Sequence, residues 1–185
     1  MCVGLLAGCG SDKGSIGKAE LSRLVLQPAD VSAYQQFDEG PQAQLDALPG
    51  PRKDAARYGR EGGWKARYRR VALAGPGPSV VESRADLFGD VSGAKHDLAA
   101  FRKQLETPIP GSGATTRVLG KPRVGDDAVA VEIRQGPAVF FTIAWRTSNA
   151  TASLTAQGQA KTTSYADALS LAQRQARRLQ RAAKS

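Results

Sequence analysis

Residues 126–158, DDAVAVEIRQGPAVFFTIAWRTSNATASLTAQG, leave the backbone few choices. In the first part, Ala128, Ala130 and Glu132 alternate with Val129, Val131 and Ile133, the two-residue period of a strand. Residues 138–149 are rich in β-branched and aromatic side chains, which suit a pleated surface better than a helix. Gly136-Pro137 connects these two runs tightly, and Ser148-Asn149 turns the chain into a third run at 150–158. The spacing predicts a three-stranded antiparallel meander.

The other elements arrange themselves around it. Residues 64–73 place Trp64, Ala66 and Tyr68 on one face and Lys65, Arg67 and Arg69 on the other. Residues 80–88 do the same with Val81, Ser83, Ala85 and Leu87, and the AGPGPS turn between them predicts an antiparallel hairpin. Asp90 or Ser92 can cap a helix over 93–106, with Ala94, Leu98, Phe101 and Leu105 at helical spacing and Thr107-Pro108 as its stop. A second helix is expected over 165–183, capped within Thr162–Ser164, with Ala166, Leu169, Ala172 or Gln173, Ala176 and Leu179 as its apolar stripe. The Leu-rich run at 20–27 ends at Pro28. The breakers Gly40, Pro41, Pro49, Gly50, Pro51, Gly59, Gly62 and Gly63 make 38–63 a long irregular loop, with a short helix expected over Gln42–Leu48.

The expected order is β-β-α-β-β-β-α, an α+β fold with one antiparallel sheet of about five strands and helices packed on a face. At 185 residues the chain fits one domain, spanning 20–185, with no internal repeat.

The amino terminus carries a different kind of signal. Leu6-Ala7-Gly8-Cys9 resembles the lipobox of bacterial lipoproteins. The resemblance implies cleavage between Gly8 and Cys9 and a diacylglyceryl group on the Cys9 thiol. Residues 1–9 then form a shortened signal peptide ending at Cys9, and the polar residues of 10–19 a flexible tether. The apolar run Val3–Ala7 is shorter than the roughly 7–15 residues of a signal peptide, and no Lys or Arg precedes it, so a translation start upstream is expected. VGDDAVAVE (124–132), FFTIAWRTSNATASLTAQG (140–158) and YADALSLAQRQARRL (165–179) are similar, in this order, to segments of uncharacterised exported lipoproteins of high-GC Gram-positive bacteria. That similarity implies a PsbP-like α/β sandwich outside the cytoplasm and carries over no catalytic residue.

Composition excludes several chemistries. The two cysteines, Cys2 and Cys9, both lie in the first nine residues and His96 is the single histidine, so the domain has no disulfide framework and no cysteine- or histidine-rich metal site. No run of eighteen apolar residues exists to form a spanning helix. The net charge of +9 suits anionic partners: headgroups, nucleic acid or acidic polymers.

Asp126 and Asp127 are adjacent, and neighbouring strand residues point to opposite faces, which favours a turn over a carboxylate pair. His96 has neither an orienting partner nor a nucleophile at a suitable spacing. Gly75-Pro76-Gly77 and Gly111-Ser112-Gly113 lack the context and the lysine of a phosphate-binding loop. The strongest cluster is basic: Arg57, Arg60, Lys65, Arg67, Arg69 and Arg70, interleaved with Tyr58, Trp64 and Tyr68, form a candidate anion-binding face. The arginines of the final helix lie mostly off its apolar stripe and make a basic outer face.

The sequence therefore points to a lipid-anchored extracytoplasmic domain of the cell membrane that binds or senses without catalysis and without a cofactor. Its partners are the membrane through Cys9 and, beyond that, anionic headgroups, a protein or a small hydrophobic ligand. A cytoplasmic basic nucleic-acid-binding protein and an enzyme with an unrecognised pocket stand as the alternatives.

Overall fold

A computed structural model describes residues 14–42, 52, 55–72, 75–107 and 111–185. Its framework is one sheet of seven antiparallel strands: Tyr34–Pro41 (β1), Arg60–Arg70 (β2), Val80–Phe88 (β3), Thr115–Gly120 (β4), Asp127–Gln135 (β5), Ala138–Thr147 (β6) and Ala150–Gln159 (β7). The strands lie in the order β1-β2-β3-β7-β6-β5-β4, so each half is a meander and the halves join where β7 pairs with β3. The helices are Val91–Glu106 (α1) and Tyr165–Ala182 (α2).

The meander at β5–β7 and the β2–β3 hairpin follow the sequence pattern. Neither the five-strand count nor the expected β-β-α-β-β-β-α order holds: the sheet has seven strands, and the chain runs in the order β-β-β-α-β-β-β-β-α. Both extra strands are edges. β1 reads YQQFDEGP and β4 reads TTRVLG, and no residue of either is fully buried. An edge strand needs one partner and little apolar surface, so hydrophobic alternation does not mark it. β1 and the start of β2 also occupy the two ends of the stretch expected as a loop. Apart from Gln42, the helix expected over Gln42–Leu48 lies outside the described residues.

The helices lie on opposite faces of the sheet, not on one. Ala168, Leu171, Ala172, Ala176 and Leu179 of α2 pack with Leu24, Val25 and Leu26 against Ala66, Tyr68, Val81, Ala85, Ile143, Trp145 and Leu154. Leu98 and Phe101 of α1 pack on Val129, Val131 and Ala144, which point the other way along the same strands. The large core therefore belongs to the α2 side. The Leu-rich run lies there, begun by a 3₁₀ helix at Lys18–Arg23; just past it, Leu26 N–H donates to Ser83 Oγ (2.9 Å), and Tyr68 OH donates to Leu26 O (2.6 Å).

Both helices begin at capped ends. Asp90 accepts from Gly93 N–H at 2.7 Å, and Ser164 forms a reciprocal capping box with Asp167. The fully buried stripe of α2 is Ala168, Leu171, Ala172, Gln175, Ala176 and Leu179; Leu169 is half-buried at its margin and packs against the core, while Ala166 is exposed. Gln175 is tolerated inside because its Nε2 donates to Arg84 O at 2.8 Å.

Candidate functional site

A cluster of charged side chains lies buried between α1 and the sheet. Asp86 of β3 and Asp97 of α1 converge on Arg52, which comes from the breaker-rich segment; all three are at most 1% exposed. Arg52 Nη2 donates to Asp86 Oδ2 (3.0 Å) and Asp97 Oδ2 (2.8 Å), and its Nε donates to Asp97 Oδ1 (2.9 Å). Thr151 of β7 donates its hydroxyl to Asp97 Oδ2 at 2.7 Å. Arg60 reaches the other Asp86 oxygen at 2.7 Å. The Arg52 guanidinium also stacks 4.0 Å from the centre of the Phe101 ring. Gly63 makes the approach of Arg60 to Asp86 feasible, since a Cβ there would overlap both groups.

Two acids and two guanidinium groups balance in charge, and each carboxylate is hydrogen-bonded. Burial still pushes the Asp86 carboxyl above its ordinary range, against the pull of Arg52 and Arg60. Solvent does not reach the Arg52–Asp86–Asp97 core, so chemically this cluster is a clamp: it fastens the Arg52 segment and α1 to the sheet.

Sequence reasoning missed the clamp, though one signal was available. Asp97 falls at i+3 from Ala94 and i−4 from Phe101, inside the apolar stripe of α1. A carboxylate in that place needs a buried partner. Nothing in the sequence marks Arg52 as that partner.

The six residues of the expected anion-binding face go to different places. Lys65, Arg67 and Arg69 form a row on the face of β2 opposite the large core. Lys65 pairs with Asp38 (2.8 Å), Arg67 with Glu82 (3.3 Å), and Arg69 donates to Gln35 Oε1 (3.4 Å). Arg60 turns inward to Asp86. Arg70 points to the α2 side, where its Nη1 donates to Gly75 O at 2.7 Å. Arg57 sits on a 3₁₀ turn, Ala55–Tyr58, against the ring of Tyr58. Of the interleaved aromatics, Tyr68 is core and Trp64 packs against the core.

Asp126 accepts from Ser148 N–H (3.0 Å) and pairs with Arg146, while Asp127 binds Arg102 and Lys121, so the neighbouring acids serve separate contacts. His96 is exposed, with its ring 5.8 Å from that of Tyr58. Among the described residues no three His, Cys, Asp or Glu side chains are grouped to hold a metal, and no helix is long and apolar enough to cross a membrane. Cys9 and Gly8 lie outside the described residues.

Two open clefts flank α2. One of about 310 Å³ is lined by Asp30, Tyr34, Arg70, Pro78, Asp167 and Arg174. The other, of about 260 Å³, lies at the end of α2 among Glu20, Arg23, Arg178 and Arg181. Between them, Asp30 accepts from Arg178 Nε at 2.6 Å and from Gln27 N–H at 2.8 Å. Burial opposes ionisation of Asp30, but these bonds and the charges of Arg178 and Arg174 outweigh it and hold the carboxyl below its ordinary value of 3.8. A group with a lowered folded-state pKa stabilises the fold above its ordinary pKa, and that contribution disappears as pH falls through the folded value. Asp30→Asn is therefore expected to be less stable than the natural chain at neutral pH, with the gap closing on acidification below 3.8. Denaturation midpoints measured across pH check this, and a gap that stays constant contradicts it.

Neither a family model nor a curated protein sequence matches the chain. Among solved structures it is similar to the extracellular domain of PknH from Mycobacterium tuberculosis, with a TM-score of 0.57 and 13% identity over 93% of this chain and 96% of that one. The two share a fold.

Proposed function

We propose that this protein is a lipid-anchored, extracytoplasmic binding or sensor-like domain, tied to the cell membrane through Cys9, that works by recognition and not by catalysis. The observation that carries the reading is Ala7-Gly8-Cys9 followed at once by a polar stretch. Small residues before the cut fit a narrow protease groove, and a thiol after it is the nucleophile that lipid transfer requires. The diacylglyceryl group places two hydrocarbon chains on one residue, enough for stable attachment where a single chain binds only marginally. The shared fold with a domain described as extracellular supports the same side of the membrane. Recognition without catalysis accords with the charged clamp, whose carboxylates are all engaged in holding the fold.

Expression from its native locus, followed by membrane fractionation and mass spectrometry of the Cys9 peptide, tests the anchor. The natural chain is expected in the membrane fraction with a diacylglyceryl thioether on Cys9, and Cys9→Ala in the soluble fraction. Equal membrane retention of Cys9→Ala would remove the anchor.

A further inference from the structure

The described chain enters beside the last turn of α2. A Cβ at Gly14 would lie 3.2 Å from Ala183 O, and Ser148 Oγ donates to Gly14 O at 3.0 Å. Ile16 is buried two residues later. The segment that precedes the domain therefore leaves it at the end of the sandwich where α2 finishes. Four residues lie between Cys9 and Gly14, so the Cα of one is at most about 18 Å from that of the other even when the link is fully extended.

This end of the molecule is basic. Arg177, Arg181 and Lys184 follow one another at i, i+4 and i+7, so they share one side of α2 and the residues just after it, and all three are exposed. Among the described residues, none of the three has an ion pair or a side-chain hydrogen bond. Arg23, whose side chain is 73% exposed, pairs with Glu20 and shares the cleft of about 260 Å³ with Arg181. The row on β2 differs, because Asp38, Glu82 and Gln35 already engage it. A cluster of uncommitted positive charge thus lies where the short link to Cys9 emerges.

On the reading that Cys9 carries the lipid, we infer that Arg177, Arg181 and Lys184, with Arg23 beside them, form the surface by which the domain rests on anionic phospholipid headgroups of its own membrane. Guanidinium groups bind phosphate oxygens in a planar, two-pronged geometry. The potential of a charged surface decays over about 8 Å at physiological salt, so the surface acts only near contact. A link of at most about 18 Å keeps it within reach of contact. The anchor then supplies proximity, and the basic end sets which way the rest of the sandwich faces.

The test uses the full chain with Cys2→Ser and Cys9→Ser, so that no lipid contributes. Co-sedimentation with vesicles of phosphatidylcholine, alone or with about a third phosphatidylglycerol, reads the surface by itself. Binding is expected only to the anionic vesicles and should weaken with salt. At about 1 kcal/mol per basic residue near the surface, Arg177→Gln/Arg181→Gln/Lys184→Gln is expected to lower the partition constant roughly a hundredfold. Arg177→Lys/Arg181→Lys should retain most of the binding. Lys65→Gln/Arg67→Gln/Arg69→Gln should leave it unchanged. The substituted side chains are exposed, and matching thermal melts confirm that each variant is folded.

Anionic-vesicle binding that is indifferent to the α2 triple substitution, or lost instead with the β2 triple, overturns the inference. So does an oligonucleotide gel shift that the α2 triple abolishes while vesicle binding persists, because the residues would then serve nucleic acid. An unmodified Cys9 in cells, with vesicle binding that still depends on the three residues, overturns the anchor and supports the surface.

Discussion

Arg52→Ala is expected to destabilise the fold by about 3–5 kcal/mol, because it strips the shared partner from two buried carboxylates. Asp97 would keep only the Thr151 hydroxyl of its clamp contacts, and Asp86 only Arg60. The cost is mainly that of uncompensated buried charge, beyond the lost packing against Phe101. That distinction is measurable. If charge is the cause, adding Asp97→Ala to Arg52→Ala removes the stranded carboxylate, and the double variant should be more stable than the sum of the single losses requires.

The penalty should also depend on pH. Burial already raises the Asp86 carboxyl above its ordinary 3.8, and losing Arg52 raises it further. A raised carboxyl favours the fold below its ordinary pKa and loses that contribution as pH rises through the folded value. The Arg52→Ala penalty is therefore expected to be largest near neutral pH and to shrink in acid. Urea unfolding of the single and double variants at several pH values reads both effects. A loss below about 1 kcal/mol, the range of an exposed ion pair, would mean that Arg52 is not held in the clamp.

The clamp and the sheet edges mark where sequence reasoning stops. β5 and β6 were legible because strands covered on both faces carry apolar side chains at most positions, and β7 because Ala152, Leu154 and Ala156 alternate with Thr151, Ser153 and Thr155. β3 was legible because Val81, Ala85 and Leu87 alternate with polar residues. Asp90, Ser164 and Thr107 marked helix ends through chemistry that is local to a few residues. β1 was not legible, because Gln35, Gln36, Asp38 and Glu39 earn their place by pairing with β2, a fact about another segment. The faces of α1 and α2 were equally hidden. Each helix shows a stripe, but which side of the sheet it covers is decided by the path of the chain between elements.

Basic residues were countable from the sequence, but their availability was not. Arg60 is consumed by Asp86, and Lys65 by Asp38. The arginines of α2 read as an ordinary basic outer face until the position of Gly14 placed the chain's entry beside them. Asn149 is a similar case. It falls in an Asn-Ala-Thr triplet that looks like a glycosylation signal, yet its side chain is buried and fully engaged.

Asn149→Ala is expected to release the N-terminal strap. Asn149 Oδ1 accepts from Ile16 N–H at 2.8 Å, and Nδ2 donates to Ile16 O at 3.2 Å and Phe88 O at 2.8 Å. If the strap stayed docked after the substitution, three buried backbone groups would lose these partners, at about 1–3 kcal/mol each. Undocking lets water satisfy the Ile16 groups and forfeits mainly the burial of the Ile16 side chain, about 1.5–3 kcal/mol. Undocking is the smaller cost, so the expected response is local. The Ile16 amide should lose its protection from hydrogen exchange while the amides of β5–β7 keep theirs, and global stability should fall by about 2–3 kcal/mol. A protected Ile16 amide in the variant would contradict this account.

The consequence reaches the membrane. With Gly14 no longer fixed beside Ala183, the first attachment on the domain moves to the 3₁₀ helix at Lys18–Arg23. The reach from Cys9 then grows from about 18 Å to about 32 Å. A longer link lowers the effective concentration of the basic end at the headgroups. Asn149→Ala should therefore loosen the orientation of the anchored domain without touching any of its basic residues.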